Sequence, residues 1–212
     1  MGRPATRSTG AAGLMAELAP QIRDERVLHA IAAVPRDVFV PPKLRDDAWA
    51  NTSLPIAEGQ TISQPVVVAR MCELLALTGD ETVLDVGTGS GYHAAVLALL
   101  ARHVVSVERH AALSASAREH LRAAGIGNVE LVVGDGTLGF PDAAPYDAIN
   151  VAAASRRGIP AALEAQLAPG GRLVMPADGK CEQRLLLARR EGVELRVSKF
   201  DRVRFVPLVG SR

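Results

Sequence analysis

The chain has 212 residues, 48% of them hydrophobic and 22% charged, and its 24 basic and 23 acidic side chains leave a formal net charge of +1. That length holds one domain with a full core rather than two large ones, the composition excludes a disordered chain, and the charge balance excludes a global field that would steer the protein to nucleic acid or an anionic membrane. The two cysteines, Cys72 and Cys181, form no C-x-x-C pair, so neither a disulfide framework nor a zinc site is indicated and a reducing, cytoplasmic compartment is expected.

Residues 1–13 are rich in Arg, Thr, Gly and Ala and lack the apolar run of a signal peptide, so they read as a flexible tail. Their start fits the myristoylation pattern formally, but so short a match arises by chance, and no apolar run reaches the roughly 18 residues of a membrane span. From 14 to 34 apolar residues recur at helical spacing, notably Val27, Leu28, Ile31 and Val34, and Pro35 ends the run; this predicts a helical N-terminal cap. Residues 36–60 carry Pro41, Pro42, Pro55 and Gly59 with little periodicity, and an irregular stretch of that length is uncommon in a compact domain unless it is functional.

A regular series follows, with helices over 65–77, 91–101, 111–124 and 159–167 and strands over 82–86, 103–108, 129–133, 146–151 and 172–175. Strands alternating with helices imply right-handed crossovers and a mostly parallel sheet with helices on both faces, an α/β Rossmann-like architecture. Near the end, apolar runs at 185–188 and 203–206 flank a polar turn at Glu191-Gly192 and read as antiparallel strands that finish the sheet. The expected plan is the tail 1–13 and one domain, 14–212, made of a cap and substrate segment (14–64), a cofactor-binding core (65–176) and C-terminal strands (177–212).

The sharpest local signal is Val83-Leu84-Asp85-Val86-Gly87-Thr88-Gly89-Ser90-Gly91-Tyr92, an apolar strand that runs into glycines and then a helix. In open α/β sheets ligands sit at the carboxyl ends of strands, where bare backbone approaches them closely. The dinucleotide fingerprint needs a third glycine where Tyr92 stands, and the bulk of Tyr92 opposes the close helix approach that a pyrophosphate exploits. S-adenosylmethionine carries no phosphate and suits the loop better. Glu108 closes the next strand 23 residues after Asp85, where a carboxylate can accept from both ribose hydroxyls, and Asp135 in Gly134-Asp135-Gly136 would face the adenine amino group. Each has a plainer reading: Asp85 holding its own loop, Glu108 a strand-end charge, Asp135 a turn residue. Their order at the ends of successive strands favours a cofactor site made of Asp85, Gly87, Thr88, Gly89, Ser90, Gly91, Glu108, Asp135 and Gly136.

These residues, together with 34–41, Leu54-Pro55-Ile56-Ala57-Glu58-Gly59-Gln60-Thr61-Ile62-Ser63-Gln64-Pro65, Ser106-Val107-Glu108-Arg109, residues 144–149, 166–174 and 204–208, resemble the protein-L-isoaspartate O-methyltransferases, which have a class I methyltransferase fold. The resemblance covers nearly everything after the tail, and 60–65 discriminates, because many methyltransferases share the glycine loop. It implies that Ser63 is the active-site serine, that Thr61, Ile62 and Arg109 join the cofactor site, and that 36–60 and 203–208 form a peptide groove in which Ile56, Ala57, Gln60 and Val206 meet the substrate. Ser63 two residues before Pro65 is also a natural helix cap. Ala57, Trp49, His93 and Ala152 depart from the family's common Gly, Tyr, Gln and Thr.

The implied reaction is S-adenosylmethionine-dependent esterification of the free carboxylate of L-isoaspartyl residues, with D-aspartyl as a second candidate, in damaged proteins and peptides; S-adenosylhomocysteine is the spent product and a succinimide begins the repair. A carboxylate with pKa about 4 is already an anion at neutral pH, so no general base is required and positioning with exclusion of water is the task. Two other readings stand beside this one: a carboxyl methyltransferase acting on aspartate in a biosynthetic peptide, and a non-catalytic S-adenosylmethionine-binding module. The histidines at 29, 93, 103, 110 and 120 show no H-x-x-x-H spacing and read as surface or packing residues, so no metal is expected. Asn150 inside a strand reads as a hydrogen-bonded core residue. A nucleic-acid substrate is disfavoured by the neutral charge and the seven aromatics, and the expected state is a monomer.

Overall fold

A computed structural model describes residues 10–179 and 182–210. In chain order the elements are α1 (Gly10–Leu18), α2 (Glu25–Ala33), β1 (Leu54–Pro55), β2 (Thr61–Ile62), α3 (Pro65–Leu75), β3 (Thr82–Val86), α4 (Tyr92–Ala98), β4 (His103–Glu108), α5 (Ala111–Ala123), β5 (Val129–Val133), β6 (Tyr146–Val151), α6 (Ala161–Ala165), β7 (Leu167–Asp178), β8 (Gln183–Glu191) and β9 (Glu194–Val203), with short 3-10 turns between them. The sheet runs β5-β4-β3-β6-β7-β8-β9, parallel from β5 to β7 and antiparallel from there to β9. The α/β Rossmann-like architecture read from the alternation, a mostly parallel sheet with antiparallel strands at its C-terminal edge, is the one observed.

Strand order places the site. The chain lays β4 and β5 to one side of β3, then returns to put β6 on the other, so the loops after β3 and β6 part at their carboxyl ends and open a crevice. β3 and β4 are buried almost throughout, as strands covered on both faces must be, which is why they read as apolar runs rather than alternations.

The N-terminal cap is two helices, broken after Leu18, ahead of Pro20, and restarted by Asp24, whose carboxylate accepts from the Arg26 amide. Leu14, Leu18, Val27 and Ile31 enter the same apolar cluster as α3, α4 and the face of the sheet. Residues 10–13, read as part of the tail, belong to α1: two alanines between two glycines give little propensity of their own, and burying Leu14 and Leu18 fixes the turn that precedes them. The rest of the predicted tail, residues 1–9, and Cys181 lie outside the described residues.

Two C-terminal expectations need correction. β7 extends well beyond 172–175 because it is paired on both sides, with β6 and with β8. The last strand is β9, not 203–206; its mostly exposed residues give it no apolar pattern, and pairing with β8 alone defines it. The apolar run after Val203 leaves the sheet and crosses to Ala154, whose amide donates to Val206 O (2.8 Å) and whose carbonyl accepts from the Leu208 amide (2.8 Å).

Candidate active site

The glycine loop turns straight off β3. The Gly87 amide donates to Val107 O on β4 (2.9 Å), and Gly87, Gly89 and Gly91 have φ of 95°, 54° and 90°, a left-handed run that side chains oppose. A Cβ on Gly91 would also stand 3.2 Å from the Ala117 methyl, so glycine lets α5 pack against the loop. Glu108, buried at the end of β4, accepts from the Gly89 amide through Oε2 and from the His110 amide through Oε1, each at 2.9 Å. One carboxylate thus holds two loops and keeps a spare lone pair on each oxygen.

Under the loop lies a buried polar chain. The hydroxyls of Thr88 and Ser106 bond at 2.6 Å, Ser106 donates to Asp85 Oδ2 (2.7 Å), and Asn150 Nδ2 donates to Asp85 Oδ1 (2.7 Å). Asn150 Nδ2 also lies 3.3 Å from His93 Nδ1, and His93 Nε2 lies 3.6 Å from Cys72 Sγ. Burial raises the Asp85 pKa against the pull of Ser106 and Asn150, and burial lowers His93 to about 3, so its imidazole is neutral. Asp85, wholly buried beneath the loop, holds that loop through Ser106 and Thr88, as the plainer of its two readings has it. Asn150 is the hydrogen-bonded core residue expected.

A cavity of about 250 Å³ opens between the loop and the irregular segment. Of the residues singled out from sequence, Gln60, Thr61, Ile62, Ser63, Gly87, Thr88, Gly89, Ser90, Glu108, Arg109, Gly136 and Val206 line it. Asp85, Gly91 and Asp135 do not. Asp135 Oδ1 accepts from the amide and hydroxyl of Thr137, fixing the turn that brings Gly136 to the wall; a Cβ on Gly136 would fall 2.5 Å from Val86 Cγ1. Ile56 and Ala57 line a neighbouring groove, with Phe39, Pro41 and Leu113, that meets the cavity at Gly89 and Ser90.

Ser63 reaches the cavity because it is spared from capping. Gln64 is the N-cap of α3, and the free Val66 amide is satisfied from afar by Asn51 Oδ1 (3.1 Å), while Gln64 Nε2 donates to Asn51 O (2.9 Å). Sequence offered no sign of Asn51, a cap contributed across a turn. It also missed His93 and His110 as site residues, and Val209, which line the cavity; Leu208, within the stretch expected at the groove, lines it too. His110 Nδ1 stands 3.6 Å from Glu58 Oε2, and Glu58 has a left-handed φ of 56°. The ordering of His110 two residues after Glu108 was the available signal. Among the described residues no group of three or more His, Cys, Asp or Glu could hold a metal ion, and no helix is long and apolar enough to cross a membrane.

Chemically the cavity offers bare backbone, one carboxylate with open lone pairs, a free-standing serine hydroxyl and a neutral imidazole, with Ser63 and Glu108 brought together from either side. A family profile described as protein-L-isoaspartate(D-aspartate) O-methyltransferase matches residues 12–212. The chain is 52% identical over 189 residues to the Methanoregula boonei protein-L-isoaspartate O-methyltransferase, covering 89% of this chain and 87% of that one. It is 51% identical over 197 residues to Marinobacter nauticus protein-L-isoaspartate O-methyltransferase 2, covering 92% and 90%. Among solved structures, a protein-L-isoaspartate O-methyltransferase superposes with a TM-score of 0.83 at 28% identity over 94% of this chain and 66% of its own. A Plasmodium falciparum candidate of the same name, in complex with S-adenosyl-L-homocysteine, shares the fold with a TM-score of 0.83 at 22% identity, over 95% of this chain and 99% of that one.

Proposed function

Because the chain belongs to the protein-L-isoaspartate(D-aspartate) O-methyltransferase family, we propose that its cavity brings the methyl of S-adenosylmethionine to a substrate carboxylate held beside Ser63. The protein is an S-adenosylmethionine-dependent methyltransferase that esterifies L-isoaspartyl residues of damaged proteins. The observation that carries the site assignment is that Ser63, Glu108 and the glycine loop, distant in sequence, line one cavity.

The residues present fit the methyl donor. Glu108 has one open lone pair on each oxygen for a pair of ribose hydroxyls, and at Gly136 a side chain would collide with Val86, so the wall there is backbone. Gly87, Thr88, Gly89, Ser90, Arg109, Thr61 and Ile62 would complete the enclosure, while Asp85, Gly91 and Asp135 act by shaping it. When bound, S-adenosylmethionine supplies an electrophilic methyl on a sulfonium and departs as S-adenosylhomocysteine.

The substrate carboxylate is ionised at neutral pH and needs no base. Ser63 would donate to one of its oxygens and orient it, leaving a lone pair of the other free to take the methyl that the bound donor would supply. His93, kept neutral by burial, sets no cation on the cavity floor to compete for that anion. Gln60 and Val206 wall the reaction from water, and the groove of Ile56 and Ala57 takes the flanking peptide. The ester then loses methanol to the following backbone nitrogen, giving the succinimide without further help.

We read residues 14–212 as one working unit, supported by the apolar cluster in which cap residues and sheet residues meet. A monomeric, cytoplasmic protein with no nucleic-acid partner fits the near-neutral charge, and Arg196, Lys199 and Arg202 on the outer strand β9 discourage pairing edge to edge. The test is methyl transfer to an isoaspartyl peptide and to its aspartyl twin, with the wild type and Ser63→Ala. Turnover confined to the isoaspartyl peptide and lowered about tenfold to a hundredfold by Ser63→Ala is expected. Equal rates on both peptides would transfer the assignment to a biosynthetic aspartate, and binding without turnover to a sensing module.

A further inference from the structure

Between α2 and β1 the backbone has almost no ladder to hold it, yet this stretch carries the approach to Ser63. What holds it is Arg36, which is fully buried. Its Nη1 donates to Ala48 O and, at 3.5 Å, to Ala50 O; its Nη2 donates to Thr52 O and to Ser63 O, both at 3.0 Å. The guanidinium carbon lies 5.4 Å from the centre of the Tyr92 ring, the residue that opens α4 directly after the glycine loop, and Phe39 packs edge-on against that ring at 5.7 Å.

The pattern is informative. Thr52 and Ser63 stand just outside the two ends of the β1–β2 hairpin, whose strands pair Leu54 with Ile62 and Pro55 with Thr61. A single nitrogen therefore clamps the base of the hairpin that presents Ile56, Ala57, Gln60, Thr61 and Ile62, while the carbon of the same guanidinium lies over the ring of Tyr92 at the start of α4. Four carbonyls and the ring of Tyr92 offset part of the burial of the charge, while Nε is buried without a partner; burial lowers the pKa to about 10, so it remains a cation at neutral pH. Burying a cation is expensive, and a filler would be apolar. Only a planar fork reaches four divergent carbonyls at once, which an ammonium cannot do.

We infer that Arg36 is a positioning residue for methyl transfer, clamping the substrate hairpin so that Ser63 is held in register with the glycine loop through Tyr92. This rests on the assignment of Ser63 above. The experiment is a cycle of Arg36→Lys, Ser63→Ala and the double variant, with kcat and KM for the isoaspartyl peptide, S-adenosylhomocysteine affinity, and rates normalised to the sites that bind S-adenosylhomocysteine, so that a loss of folded protein is not counted as a loss of catalysis. Arg36→Lys is expected to lower kcat by about tenfold to a hundredfold, as displacements of about 1 Å do, with S-adenosylhomocysteine affinity within about threefold of wild type. In the Ser63→Ala background the same change should cost less than about threefold more, because a misplaced hydroxyl that is already gone cannot be lost twice. Multiplicative losses in the cycle, wild-type kcat in Arg36→Lys, or equal losses of affinity and turnover would each overturn the inference while leaving an impaired Ser63→Ala, and so the Ser63 assignment, intact. Full turnover in Ser63→Ala would overturn both.

Discussion

Replacing Glu108 with glutamine separates a cofactor ligand from a loop brace, because the side chain keeps its size and loses one acceptor. The carboxylate now accepts from the Gly89 and His110 amides at 2.9 Å each. A carboxamide can serve one of them and must turn its own N–H groups toward the other. Losing one hydrogen bond to a buried charged acceptor costs about 1.5–3 kcal/mol. If the same swap removes an acceptor for a ribose hydroxyl, S-adenosylhomocysteine Kd rises by about tenfold to a hundredfold, at 1.4 kcal/mol for each factor of ten. The brace alone lowers Tm by about 3–12 °C for a chain of this size. Calorimetric titration and melting read the two effects separately, and kcat at saturating donor should stay within about threefold, since Glu108 is not at the reacting carboxylate. A lowered Tm with unchanged Kd would refute the ribose assignment and leave Glu108 as the tie between two loops.

Gly136→Ala forces a methyl to within 2.5 Å of Val86 Cγ1, so thermal melts should show a loss of about 1–3 kcal/mol and titration a weaker S-adenosylhomocysteine site, with Val86→Ala in the same chain restoring most of the affinity. An undiminished affinity in the single variant would show that the wall yields. His93 titrates at about 3 because of burial, so between pH 6.5 and 3 the unfolded chain binds a proton that the folded one refuses. Its contribution to stability is complete above about 6.5 and drains as pH falls, and His93→Gln should flatten that decline by about 1–2 kcal/mol between pH 6.5 and 5 in denaturant unfolding. Asp85, raised by burial, acts in the opposite sense at the acid end, so the comparison is between the two slopes; parallel slopes would refute the burial argument.

Sequence revealed most where one short stretch contains its own reason. The β3 run followed by three glycines needs no partner to be understood, because apolar burial and left-handed φ are local demands, and the same holds for Glu108 at the end of β4. What it hid depends on a second stretch. Asp85 looked like a ligand because it stands beside the loop, but Ser106 and Asn150, 21 and 65 residues away, claim both its oxygens. Ser63, implied as the active-site serine, could equally have been a helix cap on its local sequence; Asn51, twelve residues earlier, bonds the start of α3 in its place. β9 carries no apolar alternation to detect and is defined by β8 alone.

The same distinction explains why the irregular segment is long. A carboxylate that needs no base still has to be aimed, and in the site proposed above the two parties belong to different parts of the chain: the donor to loops at the carboxyl ends of β3 and β4, the acceptor to a hairpin outside the main sheet. Hydrogen bonds within the hairpin fix its shape but not where it stands. Its placement therefore has to come from groups that touch both sides, and these lie outside the cavity wall: half-buried Asn51 on the start of α3, and fully buried Arg36 between Thr52, Ser63 and Tyr92. Reaction geometry here is set from behind, by residues that a survey of the cavity wall alone passes over.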